Sequence, residues 1–422
     1  MLRFAHWKLL TAVGTVIVLI AVALAIAQDQ DALRIRAPLA TDDPRFPGYL
    51  AQILGRPLLP DTRFVVYSDG ASAYEAMLQR IRGARRRISF ETYIFDAGST
   101  GDQFVTALTE AARRGVQVRM VLDSVGAGTL KGAAVERLEG AGVRIGWFNE
   151  VRSYSIEEAN YRTHRKILVI DGEAAFVGGM GVADHWAFDT ADGPRWRDTQ
   201  VEVRGRAAAA LEGGFYENWI ETGGLVEPEV VPASAPVPDG APTLVVWSSP
   251  EGGTNGMKLL YLLAIASARR TLDIQSPYLI TDESTLWSLQ EARRRGVRVR
   301  LLMEGDLTDA RPVKASSRSG YADLLAIGAE LFEYQPAMMH TKALVADGML
   351  SIVGSANFDN RSLELNDEIN VGAFDSALAA RLTRDFTTDL GRARRIDPAA
   401  WPHRPWRERV VEEFWGYFGE IF

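Results

Sequence analysis

The chain repeats itself. Ala84-Arg85-Arg86-Arg87-Ile88-Ser89-Phe90-Glu91-Thr92-Tyr93-Ile94 returns as Ala268-Arg269-Arg270-Thr271-Leu272-Asp273-Ile274-Gln275-Ser276-Pro277-Tyr278-Leu279. A second match follows each copy, Arg114-Gly115-Val116-Gln117-Val118-Arg119 and Arg295-Gly296-Val297-Arg298-Val299-Arg300. Each reads as a helix ending in basic residues and then a short β-rich strand. Arginines favour the negative end of the helix dipole, and the glycine supplies the stop. Between the matches lie helical patterns, Phe104, Val105, Leu108, Ala111 and Ala112 in one copy and Leu286, Trp287, Leu289 and Ala292 in the other. Strands alternating with helices predict α/β lobes with largely parallel sheets, and the duplication predicts two of them. A length of 422 residues, beyond the usual size of one core, agrees.

A proline-rich stretch from Glu227 to Pro242 separates the copies and reads as a semi-extended surface linker. The expected organisation is an N-terminal segment 1–28, a first lobe 43–226, a linker 227–242, a second lobe 243–400 and an amphipathic C-terminal helix 401–422. In the N-terminal segment Leu9 to Ala27 is an uncharged apolar run of 19 residues, with Arg3 and Lys8 before it and Asp29 and Asp31 after it. It is long enough to cross a bilayer, and its flanking charges predict a single anchor in the cell membrane with the lobes on the extracytoplasmic side. Ala25-Ile26-Ala27 also fits a signal-peptide cleavage site, and a buried core helix is the third reading. At the other end, Trp406, Val410, Phe414, Tyr417, Phe418 and Ile421 recur at near-helical spacing. That helix fits either a lipid-headgroup surface or packing against the second lobe.

Composition narrows the chemistry. There is no cysteine, so disulfides, thiolate zinc sites and a cysteine nucleophile are excluded. The net charge of −7 disfavours nucleic acid as a partner. Only five histidines occur, and six lysines against 41 arginines. Yet each lobe carries, at its matching place, a His-x-Lys-x4-Asp motif: His164, Lys166 and Asp171 in the first, His340, Lys342 and Asp347 in the second. With so few of either residue, one accidental His-x-Lys pair is expected roughly 0.07 times. The run between Lys and Asp is apolar and β-prone, and on a strand residues i and i+2 share a face, so each His stands beside its Lys. A compact ammonium beside a phosphoryl oxygen acts as a point charge that guanidinium does not replace. The six motif residues are the candidate catalytic set. Within it Asp171 and Asp347, each followed by Gly, are read as closing a turn rather than doing chemistry.

These motifs resemble the phospholipase D superfamily, and within it the bacterial cardiolipin synthases. The resemblance runs from about Ser68 to the C-terminus and includes Glu91-Thr92-Tyr93-Ile94-Phe95, Trp196-Arg197-Asp198-Thr199, Ser276-Pro277-Tyr278 and the run Gly354 to Glu368. It implies two similar lobes, each a mixed β-sheet flanked by helices, whose motifs meet in one site. One histidine would attack phosphorus to form a phosphohistidine and the other would serve as acid and base. His164 is taken as nucleophile and His340 as acid/base, although nothing in the sequence breaks the symmetry. Lys166 and Lys342 would hold the phosphoryl oxygens. Asp198 and Glu368 match the family's histidine-binding carboxylates. Ser355, Asn357 and Gly179 match small-residue segments near the phosphate. The first lobe departs from that pattern, with Gly181 where Asn is expected, and Asp184 and His185 follow just beyond.

The function implied is transfer of a phosphatidyl group onto phosphatidylglycerol, with release of an alcohol. Substrates are phospholipids, with no nucleic acid, no cofactor and no metal. Hydrolysis by the same intermediate is the alternative, and a nuclease of the superfamily and a membrane scaffold with a decayed site are the more distant ones.

Overall fold

The computed structural model describes residues 14–15, 32–37, 39–130, 132–149, 161–226, 237–249 and 256–419. All but two residues of the apolar run Leu9–Ala27 and most of the proline-rich linker lie outside them. Among the described residues no helix is long and apolar enough to cross a membrane.

The first lobe contains β1 (Leu59–Tyr67), β2 (Arg87–Thr92), β3 (Gln117–Asp123), β4 (Arg144–Phe148), β5 (Ile167–Ile170), β6 (Ala174–Gly178) and β7 (Gln200–Arg204). The second contains β8 (Ala241–Ser248), β9 (Thr271–Gln275), β10 (Arg298–Glu304), β11 (Glu330–Tyr334), β12 (Ala343–Ala346), β13 (Leu350–Gly354), β14 (Glu368–Phe374) and β15 (Ala393–Arg395). Ala241 and Pro242, expected in the linker, therefore open β8.

Strand order exposes the duplication. The first lobe runs β1-β7-β6-β5-β2-β3-β4, and the second runs β8-β14-β13-β12-β9-β10-β11 with β15 added at its outer edge. Only β2, β3 and β4, and likewise β9, β10 and β11, pair in parallel. The remaining pairs are antiparallel, so the sheets are mixed rather than largely parallel. The reason is local. β5–β6 and β12–β13 are tight hairpins, and a strand that returns through a hairpin is antiparallel to its partner.

The lobes are also more than tethered. β1 pairs antiparallel with β8, which joins the two halves into one sheet of 15 strands. Apolar packing seals this seam. Val169, Val201, Leu211 and Phe215 of the first lobe share a buried cluster with Val245, Val353, Ile369 and Val371 of the second. The helix Ser376–Leu390 of the second lobe reaches back in the same way, packing Leu378 and Leu382 with Phe64 and Val66 of β1. Burying apolar surface from both halves in common clusters makes their relative position as fixed as the interior of either.

Candidate active site

Both His-x-Lys pairs sit just before the first strand of a hairpin. The motif aspartates close these hairpins: Asp171 and Gly172 have φ of 56° and 70°, and Asp347 and Gly348 have φ of 55° and 67°. Two successive residues in the left-handed region make the turn that matches strand twist, which explains the Asp-Gly pairs. Each carboxylate then binds backbone. Asp171 accepts from the N–H groups of Arg85, Arg86 and Arg87 at 2.8–3.0 Å. Asp347 accepts from Arg269, Arg270 and Thr271 at 2.7–2.8 Å. They tie the hairpin to the start of β2 and of β9, at the far end of β5 and β12 from the histidines. Asp171 and Asp347, counted by sequence among the candidate catalytic residues, therefore position the strand instead.

The histidines are held by crossed connections. His164 N–H bonds the Asp367 carbonyl at 2.9 Å, and His340 N–H bonds the Arg197 carbonyl at 2.7 Å. Each imidazole then meets a carboxylate of the opposite lobe. His164 Nδ1 lies 2.8 Å from Glu368 Oε1, and His340 Nδ1 lies 2.8 Å from Asp198 Oδ2. Glu368 and Asp198 are wholly buried. A carboxylate facing Nδ1 keeps the proton there and leaves Nε2 free for chemistry. Neither half alone contains a complete histidine–carboxylate pair.

The lysines complete the arrangement. Lys166 Nζ donates to the His164 carbonyl at 2.8 Å and Lys342 Nζ to the His340 carbonyl at 2.7 Å. Both are about 1% exposed, Lys166 feels the charge of Lys342, and both feel Glu368 and Asp198. The two motifs therefore share one electrostatic site. Burial pushes Lys166 down to about 7 and Lys342 down to about 8. Burial likewise lowers His164 to about 4 and lowers His340, with the adjacent lysines adding to the effect. Burial alone would raise Glu368, but the His164 imidazole, its hydrogen bond and Lys166 outweigh it and hold the carboxyl low. The imidazoles are thus neutral near pH 7, and the lysines, titrating near neutrality, gain charge from a nearby anion.

The halves differ in detail. Ser355 Oγ donates to Glu368 Oε2 at 2.5 Å and accepts from the Ile369 N–H at 2.9 Å. At the matching first-lobe position stands Gly179, where a Cβ would lie 2.3 Å from Asp198 Oδ1. Instead of a serine, Trp186 Nε1 donates to Asp198 Oδ2 at 3.0 Å. The same indole approaches Gly181, whose added Cβ would meet Ile94 O at 2.8 Å and Trp186 at 3.4 Å. Space that an asparagine side chain would need is taken. Asn357 in the second lobe keeps a buried Oδ1 without a partner.

Residue types alone did not single out Trp186, Trp196 or Tyr93. Trp186 and Trp196 pack on His340 with ring centroids 5.6 and 5.5 Å away, and Tyr93 packs on His164 at 5.5 Å. Their signal was only partial: Trp196 and Tyr93 lie inside segments quoted for the resemblance, and Trp186 adjoins His185. His185 itself packs against both tryptophans, with ring centroids 4.3 and 4.0 Å away and the rings tilted by 38° and 37°. Asp184 caps a helix by accepting from the N–H groups of Ser99 and Thr100. Among the described residues no group of three or more His, Asp or Glu is placed to hold a metal ion.

Residues 77–193 and 261–390 match the family described as cardiolipin synthase, PLD-like domain. A cardiolipin synthase of Geobacillus kaustophilus (strain HTA426) is 34% identical over 368 residues, covering 86% of this chain and 73% of that one. Cardiolipin synthase 2 of Bacillus anthracis is 34% identical over 350 residues, covering 82% and 68%. Among solved structures, phosphatidylserine synthase of Haemophilus influenzae Rd KW20 superposes with a TM-score of 0.68 at 11% identity, covering 89% of this chain and all of that one, a likeness of fold. The chain belongs to the PLD-like cardiolipin synthase family, whose members are phosphatidyl-transferring enzymes of the phospholipase D superfamily.

Proposed function

We propose that this enzyme moves a phosphatidyl group from a donor phospholipid onto the glycerol headgroup of phosphatidylglycerol, making cardiolipin and releasing an alcohol, by way of a phosphohistidine. The observation that carries the reading is the crossed pairing of His164 with Glu368 and of His340 with Asp198 around two buried ammonium groups.

Two equivalent bases around one cationic centre suit a double displacement. In the first step His164 Nε2 attacks phosphorus, the phosphorus–oxygen bond to the leaving alcohol breaks, and His340, which takes up a second proton on Nε2 as the anionic phosphate of the lipid binds, gives that proton to the leaving oxygen. Lys166 and Lys342 hold the non-bridging oxygens as charge gathers there. In the second step His340 takes the proton of the acceptor hydroxyl, whose oxygen attacks phosphorus, and the phosphorus–nitrogen bond breaks to restore His164. The nucleophile must leave room for a tetrahedral adduct. The side chain of His164 is 13% exposed against 6% for His340, which supports His164 in that role.

The substrate places the enzyme at a membrane. The apolar run Leu9–Ala27 and the charges around it support a single N-terminal anchor with the lobes outside the cytoplasm. Incubating purified enzyme with phosphatidylglycerol and separating the lipid products tests the proposal. Cardiolipin as the main product is expected. Phosphatidic acid as the main product would make the enzyme a hydrolase, and cleavage of single-stranded DNA without lipid turnover would make it a nuclease.

A further inference from the structure

The C-terminal helix Trp406–Gly416 sits the wrong way round for a surface helix. One charged residue faces the protein: Glu412 is 5% exposed and accepts from Arg318 Nε at 2.7 Å and from the Arg404 guanidinium. Arg318 in turn bonds the buried Glu333 at 2.6 Å. Its apolar side faces out. Trp406, Val410, Phe414 and Tyr417 are 68%, 58%, 58% and 58% exposed, and Val411 beside them is 51% exposed. Spacings of four, four and three residues put the first four on one stripe, roughly opposite Glu412. A soluble amphipathic helix does the reverse. With aromatic side chains offering about 150–250 Å² each, the stripe presents on the order of 500 Å², well above isolated exposed hydrophobics.

The helix that bears the stripe is linked to the site through its packed neighbours. The helix packs on Arg311–Ser319, which begins just after the loop Gly305–Ala310. That loop carries Asp309, whose charge acts on both His340 and Lys342, and Leu307, which is 41% exposed. The helix's last turn shares a cavity with Ile280 and with Asn360, three residues beyond Asn357. Ile280 N–H bonds the Phe358 carbonyl at 3.1 Å.

We infer that this stripe is a bilayer-docking surface that sets the active-site mouth against the lipid headgroups. The inference rests on the substrate being a phospholipid: the reacting phosphate stays at the bilayer surface, so the mouth must come to it. Tryptophan, tyrosine and phenylalanine are the side chains that favour the headgroup boundary. The exposed charges of the helix balance, Arg407 and Arg409 against Glu408 and Glu413, so apolar insertion drives the contact and anionic lipid is not required. A second copy is the poorer occupant, because stable dimers bury about 800 Å² on each partner.

The absence of cysteine permits a clean test with the full chain. Val410→Cys, labelled with an environment-sensitive fluorophore and reconstituted in phosphatidylcholine vesicles, is expected to show blue-shifted emission quenched by lipids brominated high in the acyl chain. Glu408→Cys, on another side of the helix, should stay water-like. Val410→Glu/Phe414→Glu should lower turnover of vesicle lipid at least tenfold through KM, yet leave turnover of dispersed short-chain phospholipid within twofold. An unshifted probe at 410 overturns the inference. So does a shift that disappears as protein is diluted into excess lipid, which would mark a second copy. The fluorescence is independent of turnover, so docking without cardiolipin would count against the proposed reaction and leave the surface standing.

Discussion

Replacing Glu368 by Gln tests the crossed pairing with the least disturbance. The carboxylate is wholly buried and accepts from His164 Nδ1 at 2.8 Å and Ser355 Oγ at 2.5 Å. Glutamine has the same shape, and Ser355 Oγ can turn its proton toward the Ile369 carbonyl at 3.3 Å, so the fold has an outlet for the lost acceptor. Catalysis has none. The imidazolium formed during the reaction loses a charge-assisted hydrogen bond worth about 1.5–3 kcal/mol, or roughly ten- to 150-fold in rate. Lys166 loses the nearest charge that sustains its ammonium, so anion binding weakens as well. If the amide turns its NH2 toward Nδ1, the imidazole is forced into the wrong tautomer, a change worth about 10⁴ in a comparable histidine–carboxylate pair. The expected result is a fall in kcat/KM of at least about 10², with both kcat and KM affected, read by mass-spectrometric quantitation of lipid products. Thermal unfolding should stay within a few degrees of the parent. Activity within twofold of the parent and an unchanged pH profile would refute the positioning role.

Other outcomes follow from the same contacts. His164→Ala and His340→Ala should each lower lipid turnover by at least about 10³ while the protein remains folded by circular dichroism. Arg165, wholly buried, bonds Gly214 O at 2.7 Å and Ser248 O at 2.8 Å and so bridges the two lobes; Arg165→Ala should cost about 3–5 kcal/mol in urea unfolding. Asp347→Ala strands three backbone N–H groups and should lower stability by about 1–3 kcal/mol, with kcat/KM per folded enzyme retained. The pH dependence has a definite sign. His164 and Lys166 bind protons less readily when folded, at about 4 and about 7, than when unfolded, so the empty enzyme gains stability as pH rises from about 4 to 6.5 and again from about 7 to 10.5. A bound anion relieves the lysines' penalty while they are charged. Inorganic phosphate should therefore raise the melting temperature more at pH 6 than at pH 9, and equal shifts would contradict the assignment.

The parts of this structure that sequence could reveal are the local ones. The duplicated segments and the Asp-Gly turns act over a few residues, and they located β2, β9 and the turns after β5 and β12 directly. His and Lys two apart on an extended segment were legible as neighbours for the same reason. The pairing of each histidine with a carboxylate was not, because His164 and Glu368 are 204 residues apart and His340 and Asp198 are 142 apart. Nothing in periodicity connects such distances, and only the likeness to a family pointed to Asp198 and Glu368. The β1–β8 seam was missed because a proline-rich stretch looks like a tether whether or not the strands beside it pair. Trp186 was missed because an indole on an apolar pattern reads as core. Its hydrogen bond to Asp198 and its approach to Gly181 exist only once the chain has folded.

The proposed reaction passes through a covalent phosphohistidine formed by one half of the molecule with help from the other. Rapid acid-free quenching of the enzyme during turnover of phosphatidylglycerol, followed by digestion and mass spectrometry, examines this directly. A phosphatidyl adduct is expected on the peptide containing His164, lost in His164→Ala. An adduct on His340 alone would reverse the roles, and a reaction that inverts configuration at a chiral phosphorothioate, with neither histidine modified, would contradict the double displacement itself.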